Sequence, residues 1–389
     1  MAVTFIHTAD WQLAKPYARV KDDLKRSRLQ QERIECIKRI AIAVTEHSAS
    51  FVVVAGDIFD SPSPTKATVS AACSAIGAMQ VPVLVIPGNH DHGGPGSLWE
   101  QPFFLSEQQQ LAPNLRVLLK PEPVVLDQVV IFPAPLLRRH EMVDTTTWIR
   151  SAFVEPEFPS DLARIVLAHG SVQGFGSAAD DEDESSAAIN LIDLGRLPIQ
   201  EIDYVALGDW HGRKQIDGKT WYSGTPEIDR FPKGEGNEPG YILKVTVGRG
   251  QNPVVEKLPT ARFNWHQLDY RFLEDASLDA FTKTLDEMIS THGPESLMRL
   301  GLEGSLGIAA SESLRLVLEA LEARLLRLKL DNQVTIAPTS EEIEGLTQRA
   351  GDPLVASVAS QLAAMVGDDR DGIVGLALRE LYSACGGGR

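Results

Sequence analysis

Five clusters of aspartate, asparagine and histidine limit the fold of this 389-residue sequence more than any other feature. Each cluster directly follows a short apolar run that is typical of a buried β-strand. Because the carboxyl ends of parallel strands share one edge of an α/β sheet, we expect the clusters to assemble one site there. Glycine beside four of them lets the chain turn sharply. The clusters are Asp10, GDIFD (56–60), GNHD (88–91), HG (169–170) and GDWH (208–211).

The strand-like runs alternate with amphipathic stretches over the first 260 residues, which predicts an α/β fold. Several runs are almost wholly apolar, as in strands that are buried on both faces. A helix at about 22–46 carries apolar residues at a spacing of three to four, which indicates one buried face. A second helix is predicted at 65–79. The predicted strands are 3–7, 51–54, 83–86, 129–132, 165–168, 204–207, 220–222 and 241–245.

The residue types in the five clusters suit a pair of divalent metal ions. Carboxylate and amide oxygens, together with neutral imidazoles, favour Mn²⁺, Mg²⁺, Fe or Zn²⁺ over a metal that needs thiolates. Two ions about 3.5–4 Å apart stabilise both the attacking and the leaving oxygen of a displacement at phosphorus. No Ser-His-Asp arrangement, phosphate-binding glycine loop or lysine nucleophile competes with this interpretation. The sequence therefore predicts a metal-dependent phosphoesterase.

Composition predicts a cytoplasmic enzyme. No apolar run of about 18 residues is present, so we expect no membrane span. The opening MAVTFIHTAD lacks the basic and apolar regions of a secretion signal, and the three cysteines form no CxxC pair. The formal net charge of −16 argues mildly against a polyanionic partner. Bound divalent cations would, however, invert the field inside a carboxylate-lined cleft.

The length predicts more than one domain, since one domain usually has roughly 100–200 residues. Residues 1–260 form the predicted catalytic domain. Residues 261–338 form a predicted βαβαβ unit, with strands at 264–270, 298–303 and 332–336 and helices near 278–291 and 311–328. Residues 339–389 contain two amphipathic helices, at about 354–365 and 373–382. A run of five acidic residues within residues 177–188 predicts a mobile surface loop.

The motifs HTADWQL, VAGDIFDSPSP, PGNHD, LAHG, LGDWHG and YSGTPE, in this order, resemble the calcineurin-like metallophosphoesterase superfamily. These motif sequences are most similar to those of the SbcD-type DNA repair nuclease subunit. The similarity is dense over about residues 1–250, and beyond them only the arrangement of predicted elements is similar. This resemblance implies a layered β-sandwich flanked by helices, a small α+β capping domain and C-terminal helices. It also implies a two-metal-dependent DNA exonuclease or endonuclease.

The resemblance further implies two protein partners. The C-terminal helices would dock an SMC-like coiled-coil ATPase, with apolar side chains such as Val355, Val358 and Leu362 in the partner's groove. A homodimer would form through helices near the second and third motifs, for which the alanine-rich helix at 66–79 is a candidate. DNA would be the substrate.

Carried over by position, the resemblance assigns the metal ligands in two groups. Asp10 and His211 would bind the first ion, and Asp57 would bridge both ions. Asn89 and His169 would bind the second ion. The expected ions are two divalent metals, with Mn²⁺ favoured over Mg²⁺, Fe and Zn²⁺.

Three further residues receive roles near the substrate. His90 matches a histidine that acts as a general acid or stabilises the leaving oxygen. Asp60 would orient His90 by a hydrogen bond, which an imidazole needs to hold its tautomer. His92 is a candidate contact to a substrate phosphate, and an ordinary loop histidine is an equally good interpretation.

The sequence departs from the family pattern at two positions. Gln12 stands where the pattern DxH has histidine, and Asp209 stands in GDWH where the pattern has GHxH. Asp209 still offers a carboxylate oxygen to the second ion. Gln12 is a weaker ligand than an imidazole and would reach the first ion through its carbonyl oxygen or through water. We expect looser binding of the first ion and a preference for oxygen-seeking metals.

Two other functions stay open beside the DNA nuclease. A small-molecule phosphodiesterase or phosphatase is favoured by the acidic composition. A catalytically weakened scaffold that binds DNA ends and the ATPase is supported by Gln12. Metal content separates the scaffold from the two enzymes, and substrate size separates the enzymes from each other.

Several polar residues near the motifs have structural interpretations. His7 lies inside the first predicted strand and is expected in the core. Trp11 and Trp210 are expected to pack beneath the site, although aromatic faces also stack on unpaired bases. A basic cluster is interleaved with acids and predicts a solvated helix face; it comprises Lys21, Lys25, Arg26, Arg28 and Arg33.

Overall fold

The computed structural model describes residues 2–154, 158–172, 189–232, 237–368 and 373–385. The chain divides into two units, Met1–Arg262 and Phe263–Arg389. The acidic run that we expected in a surface loop, within residues 177–188, lies outside the described residues. The sequence-based domain boundaries at 260 and 338 stay predictions.

The first unit alternates short strands with helices. Its helices are α1 (Asp23–Glu46), α2 (Lys66–Gly77), α3 (Pro102–Leu111) and α4 (Thr147–Ala152). In chain order its strands are β1 (Ala2–Thr8), β2 (Val52–Ala55), β3 (Val83–Ile86), β4 (Leu115–Val117), β5 (Val124–Val125), β6 (Val129–Ala134), β7 (Ala163–His169), β8 (Ser171–Val172), β9 (Leu191–Ile192), β10 (Tyr204–Gly208), β11 (Lys214–Gln215), β12 (Thr220–Tyr222), β13 (Tyr241–Gly248) and β14 (Val254–Pro259). All eight predicted strands are present. The unpredicted strands are short or largely exposed, so their apolar pattern is weak.

These strands form two mixed six-stranded sheets and one two-stranded pair, β8-β9. The first sheet has the order β14-β13-β1-β2-β3-β4, and the second has the order β11-β12-β10-β7-β6-β5. Strands β1 to β4 run parallel to one another. Strands β6, β7, β10 and β12 are also mutually parallel. In each sheet, therefore, the carboxyl ends of the central strands lie at one edge.

The two sheets pack face to face and make the central core. Phe5 and Val53 of the first sheet share an apolar cluster with Ile165 and Tyr204 of the second. The ring of Phe5 meets that of Tyr204 edge-on, at 5.6 Å between centroids. Helices α1, α2 and α3 cover the outer face of the first sheet, and α4 covers the second. This arrangement confirms the predicted layered β-sandwich flanked by helices.

Helix α1 shows where a sequence pattern misleads. It begins at Asp22, whose Oδ1 accepts a hydrogen bond from the backbone N–H of Lys25 at 3.0 Å. Ile37 and Val44 pack against the first sheet, as predicted. Arg33, however, was expected on a solvated face and is only 1% exposed. That expectation is wrong for Arg33 because its guanidinium group finds oxygen acceptors inside the unit.

The second unit contains a small parallel sheet. Its strands are β15 (Asn264–Phe272), β16 (Ser296–Leu306), β17 (Arg327–Asn332) and β18 (Thr335–Ile336), and its helices are α5 (Ser277–Ile289), α6 (Ile308–Arg324), α7 (Ser340–Thr347), α8 (Pro353–Met365) and α9 (Ile373–Ala384). The order is β15-β16-β17, and β18 also pairs with β16. The last predicted strand, 332–336, contains β18, whereas β17 was not predicted, because no glycine or proline marks the end of α6 in the sequence LEARLLRLKL.

Two apolar clusters hold the second unit together. The first joins the sheet to α5 and α6 and includes Phe272, Phe281 and Leu300. The second joins α7, α8 and α9 through Leu346 and Leu378. None of the helices described for the whole chain is long and apolar enough to cross a membrane.

Candidate metal centre

The candidate ligands lie where the central strands of both sheets end. Asp10, Asp57 and Asn89 follow β1, β2 and β3, His169 is the last residue of β7, and Asp209 directly follows β10. Asp10, Asp57 and Asp209 have φ angles of 52°, 56° and 100°, in a region that non-glycine residues rarely adopt. Backbone strain of this kind persists only where the surrounding structure holds it, and it concentrates at functional sites.

Asp10, Asp57 and His169 form the innermost group. Each offers one ligand atom, and the three atoms lie within 4.8 Å of one another. All three side chains are buried, with 0%, 2% and 0% exposure. Two carboxylates and an imidazole so close together, without water to screen them, favour the binding of a cation.

The electrostatics of this group are those of a site that attracts positive charge. Burial raises the pKa of Asp10 to about 6, although His211 and His169 act in the opposite direction. Burial alone would lower the pKa of His169, but the carboxylates of Asp57, Asp10 and Asp209 raise it to about 9. Without a metal ion, the carboxylates therefore stabilise a proton on His169. A divalent cation would compete with that proton.

His169 is held with one ring nitrogen directed at the centre. Its Nδ1 lies 2.7 Å from the carbonyl oxygen of Ala55 and donates to it, because a carbonyl only accepts. Its Nε2 is then the ligand atom, and it lies 3.0 Å from Asn89 Oδ1. A Cβ on Gly56 would lie 2.3 Å from His169 Nδ1, and one on Gly208 would lie 1.9 Å from the Ala55 oxygen. These two glycines are therefore required by the position of the imidazole.

Gln12 is brought to the centre with its oxygen free. Its Nε2 donates to Asp57 Oδ2 at 2.9 Å. Its Oε1 is buried and has no hydrogen-bond partner among the described residues. A buried amide oxygen without a partner is rare, because leaving it unpaired costs about 1–3 kcal/mol. The observation fits a ligand atom that is satisfied by a metal ion.

Asp209 and His211 approach the centre from the second sheet. The backbone N–H of Asp209 donates to both carboxylate oxygens of Asp10, at 3.1 and 3.2 Å. The Asp209 Oδ2 accepts from the Ser171 hydroxyl at 2.9 Å, and its Oδ1 lies 3.8 Å from His169 Nε2. His211 is close enough to Asp10 to lower the pKa of that carboxyl group.

His90 and Asp60 are joined by a hydrogen bond, as expected, and it is made by the main chain of Asp60. His90 Nδ1 lies 3.0 Å from the backbone carbonyl oxygen of Asp60, and its backbone N–H donates to Asp57 Oδ1 at 3.0 Å. The carboxylate of Asp60 instead lies 3.4 Å from Lys15 Nζ. The orientation of His90 is therefore set by the main chain. His92 Nδ1 is buried without a hydrogen-bond partner in the described part of the chain, and no described contact ties it to the other ligands.

Asp91 joins the two ligand loops of the first sheet. Its Oδ1 accepts from the backbone N–H of Gly88 at 2.8 Å, and its Oδ2 accepts from that of Phe59 at 3.1 Å. Burial raises the pKa of Asp91 to about 7, and the nearby Asp57 adds to this effect. Its role is to hold the GDIFD and GNHD loops together.

Similarity to known proteins identifies the family of this chain. The sequence pattern described as calcineurin-like phosphoesterase matches residues 3–231, which is more than half of the chain. The chain belongs to this family. One crystal structure is similar with a TM-score of 0.41 and 16% identity, covering 67% of this chain and all of the other. The crystal structure of TT1561 from Thermus thermophilus is similar with a TM-score of 0.38 and 10% identity, covering 64% of this chain and all of the other.

Membership of the calcineurin-like phosphoesterase family, together with the candidate metal-binding group, supports metal-dependent phosphoester hydrolysis as the reaction of this chain. The family typically uses two divalent metal ions, and the residues present fit them. The donor set contains carboxylate and amide oxygens with imidazole nitrogens, which suits hard and borderline divalent ions. Two features support this fit: the Gln12 Oε1 has no hydrogen-bond partner among the described residues, and glycines pack against His169.

Two cations behind the ligands, a half-buried lysine and a buried arginine, were not found from the sequence. Lys15 Nζ lies 3.0 Å from Asp229 Oδ2 and also contacts Asp60. Burial alone would lower the pKa of Lys15, but the carboxylates of Asp229 and Asp60 raise it. Arg33 donates to the carbonyl oxygens of Trp11 and Asp10, at 2.7 and 3.4 Å. Both cations hold the loop that carries Asp10 and Gln12.

Asp229 is a further residue that the sequence did not reveal. Its Oδ2 lies 3.1 Å from His211 Nδ1. Burial would raise the pKa of Asp229, but His211, Lys15 and Arg230 hold it well below its usual value. A carboxylate behind a metal-binding imidazole fixes which nitrogen is free to bind. The only available sequence signal was its position two residues after YSGTPE.

Trp11 and Trp210 differ in their surroundings. Trp11 is 1% exposed and its Nε1 donates to Thr8 Oγ1 at 2.9 Å, so it packs beneath the site as predicted. Trp210 is half-buried, and Lys214 Nζ lies 4.7 Å from its ring centroid. His7 is fully buried, in agreement with its assignment to the core.

Proposed function

We propose that this phosphoesterase is a two-metal DNA nuclease of the SbcD type that acts in DNA repair or processing. The observation that carries the proposal is the buried group of Asp10, Asp57 and His169 at the shared sheet edge. Support for DNA as substrate comes from the amino-acid sequences of the six motifs. The second unit adds to this support, because a small substrate requires no such addition.

We propose that the centre binds two metal ions and prefers Mn²⁺, because oxygen atoms predominate among the candidate ligands. When bound, such ions supply Lewis-acid stabilisation of the charge that develops on the phosphoryl oxygens during in-line attack by water. The residues that would hold them are Asp10, Gln12 and His211 for the first ion, Asn89, His169 and Asp209 for the second, and Asp57 for both.

His90 is the proposed general acid. Its Nδ1 donates to the Asp60 carbonyl, so Nε2 is the nitrogen that exchanges a proton with the substrate. Its backbone contact to Asp57 keeps the imidazole next to the bridging ligand. A bond forms between water oxygen and phosphorus while the bond from phosphorus to the leaving oxygen breaks; the water releases one proton to solvent, and His90 acts in its doubly protonated form. The leaving oxygen takes its proton from His90 Nε2.

The proposed partners rest on the family resemblance and on the exposure of the C-terminal helices. Leu354 in α8 and Ile373 and Leu376 in α9 are 75%, 65% and 46% exposed. Exposed apolar side chains on neighbouring helices suit docking to a coiled-coil ATPase. The homodimer through α2 and the cytoplasmic location are proposed on the resemblance and on cysteine usage alone.

A small phosphodiester is the second candidate substrate. The net charge of −16 favours it, because a polyanion approaching an acidic protein is repelled at long range. The catalytic residues and metals would be the same. The two candidates differ only in what the rim of the centre must bind.

The deciding experiment measures hydrolysis of end-labelled single-stranded and linear duplex DNA, with Mn²⁺ and with a chelator. Bis(p-nitrophenyl) phosphate is assayed in parallel as a small diester. We expect Mn²⁺-dependent shortening of DNA. Asp57→Asn should reduce it by about 100- to 1,000-fold, as expected when a principal electrostatic group is lost. Asp127→Asn, which removes an exposed carboxylate just before β6, is the matched control and should have no effect.

The outcomes separate the candidates. DNA cleavage that Asp57→Asn abolishes supports the nuclease. Hydrolysis of the small diester alone moves the assignment to a small-molecule phosphodiesterase. Absence of both activities together with absence of Mn²⁺ binding, measured by calorimetry, would leave only the weakened scaffold.

A further inference from the structure

A loop at the rim of the metal centre carries side chains that the hydrolytic reaction does not use. This rim loop, residues 137–143, begins shortly after β6 ends at Ala134. Strand β6 is parallel to β7, and β7 to β10, so the loop leaves the second sheet at the same edge as His169 and Asp209. Its sequence is LRRHEMV, with Glu141 as its single carboxylate.

The backbone at the start of the rim loop is fixed against the ligand loop of the first sheet. The N–H of Leu136 donates to the Pro87 carbonyl at 3.2 Å, and the N–H of Gly93 donates to the Leu136 carbonyl at 2.8 Å. A Cβ on Gly94 would lie 2.5 Å from the Leu137 carbonyl oxygen. The loop therefore lies directly beside the segment that contains Asn89 and His90.

The other end of the rim loop is fixed through Asn190. The Asn190 side chain donates to the Arg139 carbonyl at 3.1 Å and accepts from the Glu141 N–H at 2.7 Å. The Asn190 carbonyl in turn accepts from the N–H of Ser171 at 3.1 Å, and the Ser171 hydroxyl donates to Asp209. Hydrogen bonds thus connect the loop to candidate ligands on both sides of the centre.

The side chains of the rim loop point to solvent although its backbone is fixed. Arg138, Arg139 and His140 are exposed, and Met142 and Val143 are 77% and 67% exposed. In the described part of the chain, neither arginine side chain forms an ion pair. By contrast, Lys15 near the centre is neutralised by Asp60 and Asp229. In an acidic protein, two adjacent arginines that pair with no carboxylate among the described residues provide a local attraction for phosphate groups.

We propose that the rim loop binds the single-stranded segment of a DNA substrate beside the phosphate that is cleaved. Arg138 and Arg139 contact backbone phosphates on that strand, and Met142 and Val143 contact the faces of unpaired bases. Arginine suits phosphate because its planar fork donates two hydrogen bonds. Apolar contact with base faces requires bases that are not stacked in a duplex. This inference rests on the proposed nuclease function and adds a strand preference to it.

The test is binding of a fluorescein-labelled single-stranded oligonucleotide by the full chain, measured by anisotropy at several salt concentrations in chelator. Each phosphate contact on a single strand contributes about 0.7 to the slope of log affinity against log salt. The double variant R138A/R139A should therefore lose about 1.4 from that slope and bind roughly 25-fold more weakly at 0.1 M salt. Its rate with bis(p-nitrophenyl) phosphate and Mn²⁺ should stay unchanged.

Two further double variants sharpen the test. M142S/V143S should weaken binding of single-stranded DNA with no change of the salt slope, and it should leave duplex binding unchanged. K38A/R249A is the control, which also removes two positive charges but at positions away from the metal centre. Lys38 lies in the second half of α1, and Arg249 follows the end of β13 that pairs with the start of β1. This control should not alter the slope.

The results distinguish this inference from the proposed function. If the wild-type chain neither binds nor cleaves DNA but hydrolyses the small diester, the nuclease proposal fails and the rim-loop inference fails with it. If the wild-type chain binds DNA and R138A/R139A binds with the same affinity and slope, the rim-loop inference alone is overturned. A slope that falls equally in K38A/R249A also overturns it.

Discussion

The metal centre has a closed half and an open half. In the half built from the first sheet, Asp10, Gln12 and Asp57 are at most 2% exposed. In the half built from the second sheet, His169 is fully buried, but the side chains of Asp209 and His211 are 27% and 15% exposed. The closed half is backed by α1 and the buried Arg33, whereas the open half faces the rim.

This difference decides which departures from the family pattern matter. A ligand lost from the open half can be replaced by a water molecule, because water reaches Asp209. A ligand lost from the closed half leaves a cavity that is bounded by carboxylates and shielded from solvent. The replacement of histidine by Gln12 therefore falls where the protein tolerates it least, whereas Asp209 falls where the structure is more permissive. The predictions below test this contrast.

The largest effect is expected from Arg33→Ala, which removes the support of the closed half. The Arg33 guanidinium also donates to Thr225 Oγ1 at 2.9 Å, to Tyr17 Oη at 3.2 Å and to the Glu227 carbonyl at 3.2 Å. Its loss leaves several buried acceptors unpaired, so the free energy of unfolding should fall by about 3–5 kcal/mol. Urea unfolding of the metal-free protein measures this value.

Arg26→Ala is the matched control for that measurement. Arg26 lies in the same helix, and its ion pair with Asp23 is largely exposed. Its removal should change the free energy of unfolding by less than about 1 kcal/mol. Equal losses in the two variants would mean that Arg33 is no more important than a surface arginine, and the contrast between the halves would lose its structural basis.

Removal of ligand side chains should give a smaller but more specific effect. Gln12→Ala should weaken Mn²⁺ binding by roughly 100-fold, since no water takes the place of the buried amide oxygen, whereas Asp209→Ala should weaken it by about 10-fold. Isothermal titration calorimetry of each variant reports the number of ions and their affinities. Gln12→His is the informative companion, because an imidazole should raise the affinity for Zn²⁺ relative to Mn²⁺. Equal losses in the two alanine variants would contradict the difference between closed and open halves.

The sequence located the candidate ligands better than it located what supports them. The clusters at 56–60, 88–91 and 208–211 were visible because polar residues directly follow apolar runs, and this pattern is local. Asp229 and Arg33 are distant in sequence from the residues they support. An arginine inside an amphipathic helix is normally solvated, and nothing near Arg33 in the sequence reveals its buried acceptors.

The fold shows the same division between local and distant information. Strands β2 and β3 of the first unit were predictable because they are buried on both faces and wholly apolar. Strand β17 was missed because leucine, arginine and lysine continue the helical composition of α6 past its end at Arg324. The sequence predicted a hydrogen bond between Asp60 and His90, but only the structure shows that the Asp60 carbonyl oxygen makes it.

Asp229→Asn tests the support of the open half. This variant keeps the shape of the side chain but removes the charge that faces His211 Nδ1. Loss of a carboxylate behind a metal-binding histidine should weaken Mn²⁺ binding by about 10-fold. Glu238→Gln, which breaks the exposed ion pair with Arg213, is the control and should leave the affinity unchanged. An unchanged affinity in Asp229→Asn would show that Asp229 has only a structural role.

The last prediction concerns His7, which joins the two sheets behind both halves of the centre. His7 Nε2 donates to the Leu207 carbonyl at 3.2 Å, and Nδ1 lies 3.0 Å from the Tyr204 hydroxyl. Burial lowers the pKa of His7 from 6.5 to about 3. The unfolded chain therefore binds a proton below pH 6.5, whereas the folded chain does not bind it until about pH 3. The free energy of unfolding should fall as the pH is lowered through this window.

His7→Phe should remove about 1.4 kcal/mol per pH unit from the slope of the free energy of unfolding against pH, between about pH 6 and pH 4. The exposed His140, replaced in His140→Ala, should leave the slope unchanged in the same metal-free urea titrations. If the slope of His7→Phe equals that of the wild type, then His7 is protonated in the fold, and the link between the sheets tolerates a buried charge.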